Sequence, residues 1–398
     1  MGLASGRVVR PRWQVIPALG VFEILAWGSS YYLPAVLALP IATDTGWPLP
    51  WIIGGLTVGL LVSAVASPRI GATIGRAGGR AVLASGAVLL ASGLAVLGSA
   101  ANLPTFLAGW LAMGLGMGMG LYDPAFATLG RLYGSDARSA ITTLTLWGGF
   151  ASTVCWPLSA LLVDHLGWRA TCLVYAALHL LVSLPLALRF IPRVPPSTVT
   201  RSGPGSDGLG VPTGDRTFLV LAALLVVSGA IMGLVSVHLL TLLQARGETL
   251  AAAVTLGAMV GPAQVGARLL EMAGRERHHP LWTLRWAVVL IAVGLCLLAF
   301  ETSAVAVAVV LYGAGNGILS IARGTVPLAL FGPEAYPTMM GRLARPAQMA
   351  QAVAPTAGAA MISYAGPSAT LGLLAVLACA GVVLAASLTI APSRTPSR

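Results

Sequence analysis

The sequence predicts an all-α integral membrane fold of twelve transmembrane helices in two pseudo-symmetric six-helix bundles. Three observations carry that expectation: an apolar composition over the whole length, twelve separate apolar blocks, and arginines gathered on alternate connections. Of 398 residues, 57% are hydrophobic and 9% charged, against about 25% charged in an ordinary soluble domain. Mean hydropathy is +0.87. Such a chain cannot cover itself with polar surface, and lipid is the solvent that its side chains fit.

The apolar blocks fall at 14–40, 48–67, 81–101, 105–133, 139–163 and 169–190, then at 217–243, 250–273, 282–300, 304–331, 341–365 and 369–390. Each is close to the ~20 residues that a helical crossing needs. The blocks are continuous and lack the alternating polar positions of a membrane-spanning strand, so helices are expected and a barrel is not. The first block follows Arg7, Arg10 and Arg12. It is too long for the apolar part of a signal peptide and reads as an uncleaved first helix. The one long polar interruption, 191–216, is rich in Pro, Ser, Gly and Thr. It reads as a cytoplasmic linker between an N-terminal bundle, 1–190, and a C-terminal bundle, 217–398.

Orientation follows from the arginines, because cytoplasmic loops near membrane ends retain positive charge. Every second connection, counted from the N-terminus, together holds nineteen arginines; the alternate connections hold Arg169 and Arg246, and Arg268 and Arg323 lie inside apolar blocks. Both termini are therefore expected in the cytoplasm, with the protein in a bacterial inner membrane as a monomer. A net charge of +11 would raise nucleic acid as a partner for a soluble domain. Here the charge is dispersed between apolar blocks, and no nucleic-acid role is expected.

Internal repetition supports two related halves. The connection after the second block runs from Ser67 to Arg80 and the one after the eighth from Gly261 to Arg275. In both, a Gly-Ala pair (Gly71, Ala72; Gly266, Ala267) precedes a Gly-Arg pair (Gly79, Arg80; Gly274, Arg275) at the same spacing.

The first of these connections resembles the signature loop of the major facilitator superfamily, Gly-x-x-x-Asp-Arg-x-Gly-Arg-Arg. The matching stretch keeps Gly71, Gly78, Arg76 and Arg80, while Gly75 stands at the acidic position and Gly79 at the first arginine of the final pair. Gly167-Trp168-Arg169 at the start of the sixth helix and the run Gly114, Gly116, Gly118, Gly120 in the fourth add to the resemblance. An arginine often present in the fourth helix is replaced by Trp110. The resemblance implies a secondary transporter working by alternating access, with helices one, four, seven and ten lining a central cavity. It implies no cofactor; its partners are a small-molecule substrate, the lipid bilayer and a coupling ion, expected to be a proton.

Charges inside a membrane segment cost at least ~2.5 kcal/mol at the centre on insertion scales. The four cavity helices carry Glu23, Asp123, His238 and Arg323. Glu23 or Asp123 is expected to accept the coupling proton, and Arg323 to attract an anionic substrate group. A buried ion pair of Arg323 with one of the acids is the structural alternative. Helical spacing puts Asn316, Ser320 and Arg323 on one face, and Glu23, Trp27, Ser30, Tyr31 and Pro34 on another. Trp27, Tyr31, Asn316, Ser320 and Arg323 are the expected substrate contacts, although packing between helices or anchoring at the interface would also use Trp27 and Tyr31.

Gly71, Arg76 and Arg80, with Arg268, Glu271 and Arg275 in the second half, are the expected gating-loop residues. Arg268, Glu271 and Arg275 are spaced to neutralise one another along a helix. His238 reads as a packed histidine, and His278 and His279 as loop residues without further ligands, so no metal site is expected. Cys155, Cys172, Cys296 and Cys379 read as small hydrophobes. Two functions remain open within this class: proton-linked movement of a small organic anion, and proton-driven efflux of amphipathic or toxic compounds. A membrane-embedded enzyme is the alternative from another class, but no nucleophile with a paired base, metal cluster or phosphate-cradling loop is evident, and the protein is expected not to be an enzyme.

Overall fold

A computed structural model describes residues 11–194, 215–274, 278–300 and 304–389. Every regular element among them is helical. Helices are the open-ended answer to a solvent that offers the backbone no hydrogen bonds, because each satisfies its peptide groups internally. Eight helical runs among the described residues are long and apolar enough to cross a membrane. The linker expected at 191–216 lies mostly outside the described residues, as do Arg7, Arg10 and Arg275.

The first run is α1 (Arg12–Gly28) and α2 (Leu33–Thr45), separated by a non-helical turn at 29–32. Then come α3 (Leu49–Ala77), α4 (Arg80–Ser99), α5 (Leu103–Gly120), α6 (Tyr122–Tyr133), α7 (Ala137–Gly149) and α8 (Ala151–Leu178). A π-helical turn, His179–Ser183, leads from α8 into α9 (Leu184–Phe190). Pro185 follows this turn and supplies no N–H to the ladder, a recognised cause of local widening in a helix. The second part of the chain holds α10 (Arg216–Ala245), α11 (Leu250–Ala258), α12 (Val260–Ala273), α13 (Pro280–Ala299) and α14 (Val305–Ser387).

Two of the longest runs are not single straight helices. Within α8, Gly167 takes φ 77°, ψ 168°; within α14, Gly332 takes φ 73°, ψ 165° and Gly366 takes φ 86°, ψ 166°. This region of backbone space is open essentially to glycine alone. Proline follows both breaks in α14, at Pro333 and Pro367, where its fixed φ suits the first turn of a new helix. Gly167 and Gly366 adopt almost the same conformation about 200 residues apart, a spacing that matches the repeated loop sequences.

Contacts gather the chain into two compact units, Met1–Gly59 with Arg69–Thr198, and Leu60–Pro68 with Val199–Arg398. In the first unit Phe22, Leu83, Leu90, Phe106, Trp110 and Phe126 are fully buried. Small residues set how closely its helices approach. A side chain at Gly93 of α4 would meet Met113 and the Gly109 carbonyl of α5, and one at Gly116 would meet the Leu90 amide. The second unit uses the same device: Gly315 of α14 lies against Ala287 and Ile291 of α13, while Gly313 and Gly317 lie against Val260 and Gln264 of α12. The glycine runs of the fourth and tenth blocks thus serve close packing in lipid, where small residues let backbones approach.

Candidate functional site

In the first unit the polar site is built around the end of α1. Glu23 is fully buried; its Oε2 accepts a hydrogen bond from Trp27 Nε1 at 2.9 Å, and its Oε1 has no hydrogen-bond partner among the described residues. A Glu and a Trp one helical turn apart are neighbours on one face. Asp123 lies within Coulombic range of Glu23 and is 8% exposed. It owes its place to a break at Leu121, whose backbone is extended at φ −93°, ψ −169° after the glycine run of α5. The chain restarts as α6 with Asp123 in its first turn, where unsatisfied amides and the helix dipole favour a carboxylate.

Around Glu23 the structure collects rings. Trp27 meets Tyr31 edge-on with centroids 5.5 Å apart, Tyr32 at 5.9 Å and Tyr122 at 5.0 Å. Tyr122 stacks on Phe126 at 5.0 Å and donates to the Thr145 carbonyl at 3.2 Å, and Tyr32 meets Trp156 at 6.0 Å. Glu23, Asp123, Trp27 and Tyr31 are therefore brought together. Ser30 and Pro34 do not continue the stripe of α1 as the spacing implied, because the helix stops at Gly28. Ser30 Oγ instead donates to the Ala26 carbonyl at 2.5 Å. Tyr32, Tyr122 and Trp156 were missed from the sequence. Tyr122 carried one usable signal, its place beside Asp123 directly after a glycine run.

The same unit is tied at both ends. Trp168 Nε1 donates to Asp44 Oδ2 at 2.9 Å, Arg169 pairs with Asp44 and donates to the Ala100 carbonyl at 3.3 Å, and the guanidinium lies 4.2 Å from the Trp168 ring centroid. At the other end Arg12 donates to Ser139 Oγ and the Asp136 carbonyl, each at 3.0 Å, and lies over Tyr133. Of the expected gating-loop residues in this half, Gly71 and Arg76 lie within the last turns of α3, buried and exposed respectively, and Arg80 opens α4 half-buried, so the connection itself is only Gly78-Gly79. Gly78 turns the chain at φ 80°, and Gly79 abuts Thr128 of α6.

In the second unit Asn316 lines a crevice with room for about one water, beside Ser228, Met232 and Tyr312. Ser320 Oγ donates to the Gly317 carbonyl of its own helix at 2.7 Å, and Arg323 is half-buried. Arg268 is 5% exposed and donates from Nε to the same Gly317 carbonyl at 3.2 Å and from Nη2 to Gln264 at 3.3 Å. Glu271 Oε1 accepts from Thr283 at 2.6 Å and lies 3.2 Å from His278 Nε2, so this acid reaches α13. His238 Nε2 lies 2.8 Å from the Pro355 carbonyl, the packed environment expected of it. No cluster of three metal-ligating side chains occurs among the described residues.

This arrangement of helices, with a short glycine-turned connection after the second run, meets its counterpart among known proteins. The family model for the major facilitator superfamily matches residues 19–278. The chain belongs to the major facilitator superfamily. It is an integral membrane protein of that transporter family. Solved structures share the fold of this superfamily member: the human organic anion transporter MFSD10 (TETRAN), with TM-score 0.75 at 18% identity over 94% of this chain and 99% of that one. The transporter FucP in its outward conformation gives TM-score 0.76 at 16% identity, again over 94% and 99%. A variant of the E. coli fucose:proton symporter FucP gives 0.72 at 18% over the same shares. No curated protein sequence matches the chain. Within the superfamily's loop pattern, Gly75 and Gly79 depart from the usual acid and arginine. A gating ion pair that used that acid has no counterpart at this position.

Proposed function

We propose that this superfamily member is a proton-linked secondary transporter of a small organic anion. It works by alternating access of two six-helix halves, 1–190 and 217–398, joined by the cytoplasmic stretch 191–216. The eight apolar runs become twelve crossings when the long ones are divided at Gly134, Gly167, Gly332 and Gly366. In this reading both termini face the cytoplasm of a bacterial cell, the protein acts as a monomer, and its substrate contacts are Trp27, Tyr31, Asn316, Ser320 and Arg323.

The observation that carries the reading is Glu23: a fully buried carboxyl, with one oxygen held by Trp27 and the other without a hydrogen-bond partner among the described residues. A buried charge is costly unless it is paired or neutralised. A carboxyl in this setting exchanges one proton for one unit of charge as access to the site alternates. Asp123 is within Coulombic range of Glu23 and would couple to that exchange, and Arg323, in the C-terminal half, supplies the cation that attracts an anionic group.

A second reading, efflux of amphipathic compounds, is favoured by the rings of Trp27, Tyr31, Tyr32 and Tyr122 beside Glu23. Aromatic faces next to a carboxyl accept flat or cationic guests. Flux of a panel of carboxylates and of cationic dyes into proteoliposomes, with and without a pH gradient, tests both. Gradient-dependent carboxylate flux that Arg323→Gln abolishes supports the first reading. Carboxylate flux unchanged by Arg323→Gln overturns it, and gradient-driven dye flux that survives the substitution supports the second.

A further inference from the structure

Two irregularities in the first unit's helices are joined by one side chain. The turn at 29–32 interrupts the passage from α1 to α2, and the π-helical turn His179–Ser183 interrupts the passage from α8 to α9. His179 is fully buried between them. Its Nε2 lies 2.7 Å from Ser29 Oγ, and its Nδ1 lies 3.1 Å from Ser183 Oγ. Ser29 and Ser183 are themselves fully buried. Both ring nitrogens of the histidine are thus used, one across the two irregular turns and one within its own.

We propose that His179 is a positioning residue that fixes the broken end of α1 to the π-helical turn, and so holds Trp27, Tyr31 and Tyr32 in place beside Glu23. A helix interrupted inside a membrane loses part of its internal ladder, and something must hold the freed segment. Water is excluded here, so a polar side chain from a neighbouring helix has to do it. The turn's backbone bonds are all local: Ser29 N–H donates to the Leu25 carbonyl at 3.0 Å, Ser30 and Tyr32 N–H to the Trp27 carbonyl at 3.4 and 3.0 Å, and Leu33 N–H to the Ser30 carbonyl at 3.2 Å, so they hold the turn to its own chain and not to a neighbour. The Ser29–His179 bond ties this turn to a neighbouring helix by a buried side-chain hydrogen bond, beside the ring contact of Tyr32 with Trp156 of α8. A π-helical turn shifts the register of side chains that follow it, and such turns recur at functional sites. Here the shift coincides with the residue that reaches Ser29. The link from this pin to substrate binding rests on the reading of Trp27 and Tyr31 as substrate contacts; the pin itself does not.

The test is amide hydrogen exchange on the full chain in lipid nanodiscs, comparing the unmodified protein with His179→Ala, Ser29→Ala and His179→Gln. Loss of a buried hydrogen bond that leaves its partner unsatisfied should raise exchange at 27–33 by about tenfold. Both alanine variants should show the increase, exchange around the separate Ser159–Tyr175 hydroxyl pair should stay unchanged, and His179→Gln, which keeps a donor, should restore protection. A rise spread evenly over the whole unit would mean general destabilisation and would overturn the proposal. Unchanged exchange at 27–33 would overturn it as well, and Ser29→Ala decides the matter if His179→Ala does not fold. Failure of the substrate-contact reading would show elsewhere, as full transport by Trp27→Ala, with the exchange result standing.

Discussion

Glu23 and Trp27 are four residues apart on α1, and in their hydrogen bond the acceptor, Glu23, is fully buried while Trp27 is half-buried. Replacing Trp27 by Phe keeps a ring against Tyr31 and Tyr122 and removes the donor to Glu23 Oε2. Leaving a buried acceptor unsatisfied costs about 1–3 kcal/mol, so Trp27→Phe should lower the thermal midpoint measured in detergent, and an unchanged midpoint would show that the bond contributes nothing. Tyr122→Phe is expected to be milder, because the stack on Phe126 survives the loss of the hydroxyl's bond to the Thr145 carbonyl. At this scale the sequence revealed the charged residues and concealed their neighbours. Glu23 and Asp123 stand out because a carboxyl is rare in an apolar block. Tyr122 and His179 do not, because Tyr122 follows the break at Leu121 and His179 opens the π-helical turn, and at such irregularities regular spacing does not tell which residues share a face.

Among the elements, the close helix pairs make the sharpest demand on residue type. A Cβ on Gly315 would lie 2.6 Å from the Ala287 carbonyl oxygen and 2.8 Å from the Ile291 amide. Backbone cannot swing aside as a side chain can, so Gly315→Ala should force α13 and α14 apart at about 1–3 kcal/mol, the usual cost of overpacking. Gly266 on α12 faces open space, so Gly266→Ala should be neutral or stabilising by about 0.5–1 kcal/mol, the ordinary gain in helix propensity. Parallel thermal melts of the two variants check the pair, and equal effects would contradict the packing account. The helices themselves were legible, because lipid leaves an apolar block few other conformations. Their exact turning residues were less so: with 48 glycines in the chain, glycine alone does not separate Gly167, which turns the backbone, from Gly93, which admits a neighbouring helix, and at Gly167 the Trp168-Arg169 pair that follows is the cue. At Gly332 and Gly366 the proline that follows is the cue.

For the molecule as a whole, the arginine distribution makes a prediction independent of any side-chain geometry. Tags at the N-terminus and within 191–216 should both be protected in intact cells and accessible in inverted vesicles, as the retention of positive charge in the cytoplasm requires. Opposite accessibility of the two would contradict the division into six-helix halves. Family membership and fold make the protein a transporter; what drives it is the claim that depends on one buried carboxyl. The most direct test compares two kinds of flux in proteoliposomes for a carboxylate that the unmodified protein accumulates. Glu23→Gln removes the exchangeable proton and keeps the shape of the side chain. It should lose accumulation driven by a pH gradient while retaining exchange of labelled for unlabelled carboxylate with no gradient. Accumulation by Glu23→Gln equal to that of the unmodified protein would contradict the account.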